Sequence, residues 1–127
     1  MRLLLDTHVL IWSVYTVRRL SPRVREAIED PDVELLVSSV SAMEIATKVR
    51  TGKLEAVELI GDYLGYLRRM NLIELPITSQ HMLFAGSFRH PHGDPWDRIL
   101  AAQSILEGVP LVTDDVTLAT FDIQRYW

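Results

Sequence analysis

An α/β fold, built on a central parallel sheet of four to five strands with helices on both faces, is what this chain predicts. Three observations carry that expectation. Short apolar runs of strand length alternate with stretches in which apolar residues recur at helical spacing. Caps, prolines and glycines punctuate the junctions between them. The acidic residues Asp6, Glu44, Asp94, Asp97, Asp114 and Asp115 fall at or just beyond the ends of apolar runs, and in an open α/β sheet ligands bind outside the carboxyl ends of the strands.

The elements follow in order. Arg2 to Leu5 reads as a short buried strand, because a continuous apolar run suits a sheet covered on both faces. Asp6-Thr7-His8 is then a strand-to-helix junction. Ser21-Pro22 reads as an N-cap with proline at the first helical position, with Val24, Ala27 and Ile28 on one face and Asp30-Pro31-Asp32 as the stop. Glu34 to Ser38 is a second strand. Ser41-Ala42-Met43-Glu44 opens a helix to about Arg50, closed by Thr51-Gly52. One longer amphipathic helix is expected from Ala56 to Met70, its stripe being Leu59, Ile60, Tyr63, Leu64 and Leu67.

Leu72 to Leu75 is a third strand, ended by Pro76, and Thr78 caps the helix through Met82, Leu83 and Ala85. His90-Pro91-His92-Gly93 is a loop. Asp94-Pro95 starts a helix to about Glu107, stopped by Gly108; Val109 to Thr113 is a fourth strand, and Ile123 with Tyr126-Trp127 a short fifth. At 127 residues, without repeat or linker, the chain is expected to form one domain spanning residues 1–127.

Composition narrows the function. Thirteen basic against 17 acidic side chains leave a net charge of −4, so the surface as a whole is not built for non-specific nucleic-acid binding. The basic residues are nevertheless clustered, as in Arg18, Arg19, Arg23 and Arg25, or Lys48, Arg50 and Lys53, which leaves room for a local phosphate track beside solvated helix faces. The absence of cysteine excludes disulfides, zinc thiolates and thiol catalysis. Apolar runs such as Val9-Leu10-Ile11-Trp12 are too short to span a bilayer and no leader pattern opens the chain, so a soluble cytoplasmic protein is expected. An apolar fraction of 48% hints at a buried partner surface.

The acids have two readings that are compatible. Ser41-x-x-Glu44 matches a capping box, Asp94 an N-cap before proline, and Asp114 or Asp115 a cap for Val116 to Ala119. Asp6 directly follows a buried strand and has no such excuse, since a desolvated carboxylate needs a cation or several donors. Two carboxylates about 4 Å apart at an effective dielectric of ~20 repel by roughly 4 kcal/mol. A shared site would therefore be strained or partly protonated without a cation, and hard oxygen ligands suit Mg²⁺ or Mn²⁺.

Other chemistries fit worse. Ser38, Ser39 and Ser41 with His81, His90 or His92 lack a Gly-x-Ser-x-Gly elbow, and no glycine-rich nucleotide cradle is present. His90-Pro91-His92 is better read as a loop or site rim than as a zinc site. A haloacid-dehalogenase-like phosphatase needs an aspartate where His8 stands, and a receiver domain wants a lysine after a late strand where this chain has only Lys48 and Lys53.

Four segments carry a further resemblance: Leu4-Leu5-Asp6-Thr7-His8, Ser38-x-x-Ser41-x-x-Glu44-Ile45, His92-Gly93-Asp94-Pro95-Trp96-Asp97-Arg98-Ile99-Leu100-Ala101-Ala102-Gln103, and Leu111-Val112-Thr113-Asp114-Asp115. In this order they resemble the PIN-domain family, specifically the VapC-type toxins of bacterial toxin–antitoxin pairs. The resemblance implies a three-layer α/β/α sandwich, Mg²⁺- or Mn²⁺-dependent endoribonuclease activity on RNA, a homodimer, and a small cognate antitoxin. It implies that Asp6, Glu44, Asp97 and Asp115 bind the metal, with Asp94 as a supporting cap and Thr113 or Ser41 orienting water or metal. Arg98 is open between a phosphate contact and a helix-dipole or ion-pair role. Trp96 stands where phenylalanine is usual, and Asp114 beside Asp115 where a small residue is common, so the choice between those two as ligand is open. The alternative function is a PIN-like RNA-binding or RNA-processing module that is not a toxin.

Overall fold

The computed structural model describes residues 1–127. Five strands, β1 (Arg2–Leu5), β2 (Glu34–Ser38), β3 (Leu72–Leu75), β4 (Leu111–Val112) and β5 (Arg125–Tyr126), form one parallel sheet in the order β3-β2-β1-β4-β5. Seven α-helices flank it: α1 (Thr7–Tyr15), α2 (Pro22–Glu29), α3 (Ser39–Arg50), α4 (Val57–Gly61), α5 (Tyr63–Arg69), α6 (Ser79–Ser87) and α7 (Pro95–Glu107).

Strand pleating sorts the leucines of β1 onto two faces. Leu3 and Leu5 join Leu35, Val37 and Val112 under Val9, Leu10, Val24, Ile45, Leu59 and Leu67 from α1 to α5. Leu4, Leu36 and Leu111 face the other way, against Ala85 of α6 and Leu100, Ala101 and Ala102 of α7. The result is a three-layer α/β/α sandwich. Register places Leu5 opposite both Val37 and Val112, so the residues following β1 and β4 emerge side by side. From β1 the chain moves to β2 on one side, while β4 is added on the other, making the β1/β4 boundary the point where strand order reverses.

Local chemistry explains most boundaries. Ser21 Oγ accepts from Val24 N at 3.1 Å ahead of Pro22. Thr78 and His81 form a reciprocal capping box on α6, His81 taking the place usually held by Glu or Gln. Gly108 ends α7 at φ 65°, the left-handed region where glycine carries no Cβ penalty.

Three expectations are corrected. Helix α3 starts at Ser39 with Ser38 as its cap, Oγ accepting from Val40 N at 3.1 Å, so Ser41 and Glu44 lie inside the helix and form no capping box. The expected helix from Ala56 to Met70 is broken at Asp62 (φ −146°, ψ 49°) into α4 and α5, burying Leu59 and Leu67 but exposing Ile60 and Leu64. Gly61 and Asp62 are both weak helix formers, and the Asp62 carboxylate folds over Gly65 and pairs with Arg69 at 3.1 Å. The fourth strand is only Leu111–Val112, although the Thr113 amide still donates to Tyr126 O at 3.2 Å and its hydroxyl reaches Asp6.

Candidate active site at the carboxyl ends of β1 and β4

Asp6 sits in the N-cap position of α1, yet its side chain caps nothing. Its amide still extends the sheet, donating to Val112 O at 3.0 Å. The carboxylate, buried in the β1/β4 crevice, instead accepts from Thr113 Oγ1 at 2.7 Å and meets His8 Nδ1 at 3.1 Å. Thr113 Oγ1 also accepts from Asp115 N at 3.0 Å, so one buried hydroxyl ties together the ends of both strands. Burial pushes the Asp6 carboxyl upward; His8 and the Thr113 bond oppose this, Asp97 and Glu44 add to it, and the pKa rises from 3.8 to about 6.

Glu44 comes from the second turn of α3 and is also buried. Its Oε2 accepts from Lys48 Nζ at 2.6 Å, one helical turn on, while its Oε1 is buried without any hydrogen-bond partner. Partial burial works against the Lys48 ammonium, but the Glu44 contact and the fields of Asp94 and Asp6 outweigh it and raise its pKa. Asp97, in the first turn of α7, meets His92 Nε2 at 2.7 Å. Burial raises its pKa, Asp94 and Asp115 push the same way, and His92 resists.

Asp6 thus feels the charges of Glu44 and Asp97, and Asp97 that of Asp115, so the four acids form a connected chain of like charges. The neighbours differ in role. Asp94 caps α7, its Oδ1 accepting from Trp96 N at 2.9 Å and Asp97 N at 3.4 Å. Asp115 half-faces the crevice while its Oδ1 accepts from Thr117 N at 2.8 Å. Asp114 is exposed and meets His8 Nε2 at 2.7 Å, across the ring from Asp6. Ser41 Oγ pairs with Thr7 Oγ1 at 2.9 Å, joining α3 to α1 and touching no acid.

Arg98 forms no ion pair. Its guanidinium bonds the carbonyls of Ala85, Phe88, His90 and His92 at 2.5 to 3.0 Å, tying the end of α6 and the following loop to α7. Through the His92 carbonyl it steadies the ring that meets Asp97. Sequence reasoning missed the three bases, His8, Lys48 and His92, as partners of the acids. Only Glu44–Lys48, at i,i+4, had a local signal.

A divalent cation fits this donor set. Carboxylate oxygens are the hard ligands Mg²⁺ and Mn²⁺ take, Glu44 Oε1 is desolvated without a partner, and Asp6 is pushed toward its neutral form by burial and, to a lesser extent, by the like charges of Asp97 and Glu44. One ligand atom each from His92, Asp94 and Asp97 also lie within 4.8 Å of one another. That second grouping is more exposed and spends an Asp94 oxygen on the helix cap.

Comparison with known proteins agrees with this geometry. A model of the PIN domain matches residues 3–123. The chain is 32% identical over 118 residues to Ribonuclease VapC22 of Mycobacterium tuberculosis (strain ATCC 25618 / H37Rv), covering 88% of this chain and 85% of that protein. Its fold is similar to the crystal structure of VapBC2 from Rickettsia felis bound to a DNA fragment from their promoter (TM-score 0.73, 17% identity, 99% and 98% of the two chains). It is also similar to VapBC-1 from nontypeable Haemophilus influenzae (TM-score 0.72, 18% identity, 99% and 97%) and to FitAcB from Neisseria gonorrhoeae (TM-score 0.65, 17% identity, 98% and 96%). The match over nearly the whole chain, joined to the three-layer sheet with its acids at the β1/β4 crevice, places the chain in the PIN domain family, on the VapC-type branch.

Proposed function

We propose that the whole chain acts as one PIN domain and is a Mg²⁺- or Mn²⁺-dependent endoribonuclease, the toxin half of a VapBC-type pair. The ribonuclease reading rests on family membership and on the 32% identical VapC ribonuclease. The observation that carries the metal reading is the pair of buried carboxylates, Asp6 with its raised pKa and Glu44 with a partnerless oxygen, at the sheet's reversal point. Asp6, Glu44, Asp97 and Asp115 would hold the ion. When bound, it supplies charge neutralisation for a phosphodiester and lowers the pKa of an attacking water.

The remaining work falls to the chain's own groups. Thr113 fixes the Asp6 carboxylate by donating to Oδ2 and fixes Asp115 through its amide. His92 and Lys48 each occupy one oxygen of Asp97 and Glu44, and the second Glu44 oxygen is buried without a partner, free to take a cation. His8 bridges Asp6 and Asp114, one ring nitrogen to each carboxylate. A crevice this acidic is most directly silenced by a cation, so the antitoxin is proposed to place an Arg or Lys near Asp6 and Asp97. We also propose that the protein works as a homodimer in the cytoplasm; no helix is long and apolar enough to cross a membrane.

The test is cleavage of total RNA by purified protein with and without Mg²⁺ or Mn²⁺, beside expression with and without whatever small gene adjoins its own as a candidate antitoxin. Metal-dependent cleavage and growth arrest relieved by that gene are expected. Cleavage with harmless expression would remove the toxin role and leave an RNA-processing nuclease.

A further inference from the structure

We propose that a strip of aromatic rings and unpaired arginines leading away from Asp6 binds the unpaired RNA strand next to the cleaved phosphate. This rests on the ribonuclease reading and assigns residues of this chain, outside the acidic crevice, to holding the strand. The strip begins at His8, whose ring joins Asp6 to Asp114 at the mouth of the crevice. One turn along α1, Trp12 lies edge-on to His8 with centroids 4.7 Å apart, and Trp127 lies against Trp12 at 6.1 Å. All three rings are half-buried, and Trp12 and Trp127 pack against the core.

Arginines cover these rings. The Arg19 guanidinium stands 4.2 Å from the Trp12 centroid, and Arg23 stands 3.9 Å from that of Tyr126, next in sequence to Trp127. Neither forms an ion pair with a carboxylate, and neither do Arg18 and Arg25, close by in sequence. In a protein of net charge −4, four exposed arginines without acidic partners between residues 18 and 25 are a local concentration of positive charge.

Chemistry selects the occupant. Aromatic faces interleaved with guanidiniums take stacked bases and backbone phosphates alternately, and this is the pairing that holds single strands without reading their sequence. A duplex keeps its bases stacked inside and offers such a strip only phosphates. The metal-binding acids occupy the crevice and repel phosphate without an ion; the strip supplies attraction just outside it, continuous through His8.

The test measures affinity for a fluorescent short oligouridylate by anisotropy, with EDTA present to prevent cleavage and salt varied. Arg19→Ala with Arg23→Ala should weaken binding about tenfold and flatten the log–log salt dependence by about 1.4, since each phosphate that an arginine neutralises on a single strand accounts for about 0.7. Trp12→Leu, which keeps an apolar side chain on the core, should weaken binding by roughly five- to tenfold with the salt slope unchanged, because stacking is not ionic. Wild type should bind the single strand more tightly than a duplex of equal length.

Wild-type affinity in both variants, while wild type binds and cleaves RNA, overturns the strip and leaves the nuclease reading standing. Failure of the wild type to bind or cut any RNA defeats that reading itself. Arginine variants that keep RNA affinity but lose the antitoxin would assign the strip to the protein partner and overturn the proposal. Arg19 and Arg23 are exposed, so their double variant remains informative if Trp12→Leu fails to fold.

Discussion

The two ends of the sheet hold opposite arrangements of space and charge. At the amino ends, an open hollow of about 500 Å³ is lined by Asp30, Asp32, Glu34, Met70 and Asn71. Its acids are exposed, Asp30 merely accepting from Asp32 N at 2.9 Å and Glu34 reaching Arg2 at 3.4 Å across solvent, a pairing worth little. At the carboxyl ends Asp6 and Glu44 are buried, and Asp6 and Asp97 have raised pKa values. Open volume and buried charge therefore nominate opposite ends. Buried charge is costly to fold around and persists where chemistry uses it, so charge is the better guide.

That contrast is broken or sharpened first by activity. Asp6→Asn and Asp97→Asn should each lower metal-dependent RNA cleavage by at least about 100-fold, the scale of removing one group that stabilises developing charge. Melting temperatures should hold or rise, since each change relieves like-charge repulsion. Asp30→Asn and Asp32→Asn should leave cleavage unchanged. Equal losses at both ends would erase the distinction.

The second test is the pH dependence of metal-free stability. Asp6 has a folded-state pKa of about 6 against an ordinary 3.8, so between those values the folded protein binds a proton that the unfolded chain does not. Its contribution therefore rises as pH falls from about 6 to 4, by up to about 3 kcal/mol for two units, and Asp97 adds in the same direction. Denaturant melts should show Asp6→Asn losing this gain relative to wild type. Parallel curves for the two proteins would mean that Asp6 is not held near neutrality.

Metal linkage gives a similar or slightly smaller effect. An ion that binds only the folded state at 100 times its dissociation constant adds about 2.7 kcal/mol. Mn²⁺ or Mg²⁺ should raise the melting temperature of wild type but not of a variant carrying both Asp6→Asn and Asp97→Asn. The same shift in both would place the ion elsewhere, with the exposed acids of the amino end as the first place to look.

The two ends also differ in how well the sequence foretells them. Strands β1 to β3, the caps Ser21, Thr78 and Asp94, and the stop at Gly108 are legible because each depends on a few adjacent residues. The break at Asp62 is hidden because the apolar stripe continues through it, from Leu59 and Ile60 to Tyr63, Leu64 and Leu67. The start of α3 is ambiguous because Ser38, Ser39 and Ser41 are all competent caps. At the site, the acids stand out by position, but their bases do not. His8 meets Asp114 across 106 residues and Arg98 finds its carbonyls in the loop after α6, pairings set by packing rather than by any local pattern.

The smallest effect separates a carboxylate that caps from one that serves the crevice. Asp94 lies beside Asp97 and raises its pKa, yet its Oδ1 is bound by the Trp96 and Asp97 amides at the start of α7. Asparagine has the same acceptor and is an equally good N-cap, so Asp94→Asn should change stability by only a few tenths of a kcal/mol, whereas Asp94→Ala should lose about 1 kcal/mol. Cleavage in Asp94→Asn should fall much less than in Asp97→Asn, because the helix that carries Asp97 keeps its start while one supporting charge is lost. Thermal melts and single-turnover cleavage of the two Asp94 variants measure both halves. Should Asp94→Asn be as inactive as Asp97→Asn at unchanged stability, Asp94 belongs among the ligands, and the exposed grouping of His92, Asp94 and Asp97 would displace Glu44 from the centre of the site.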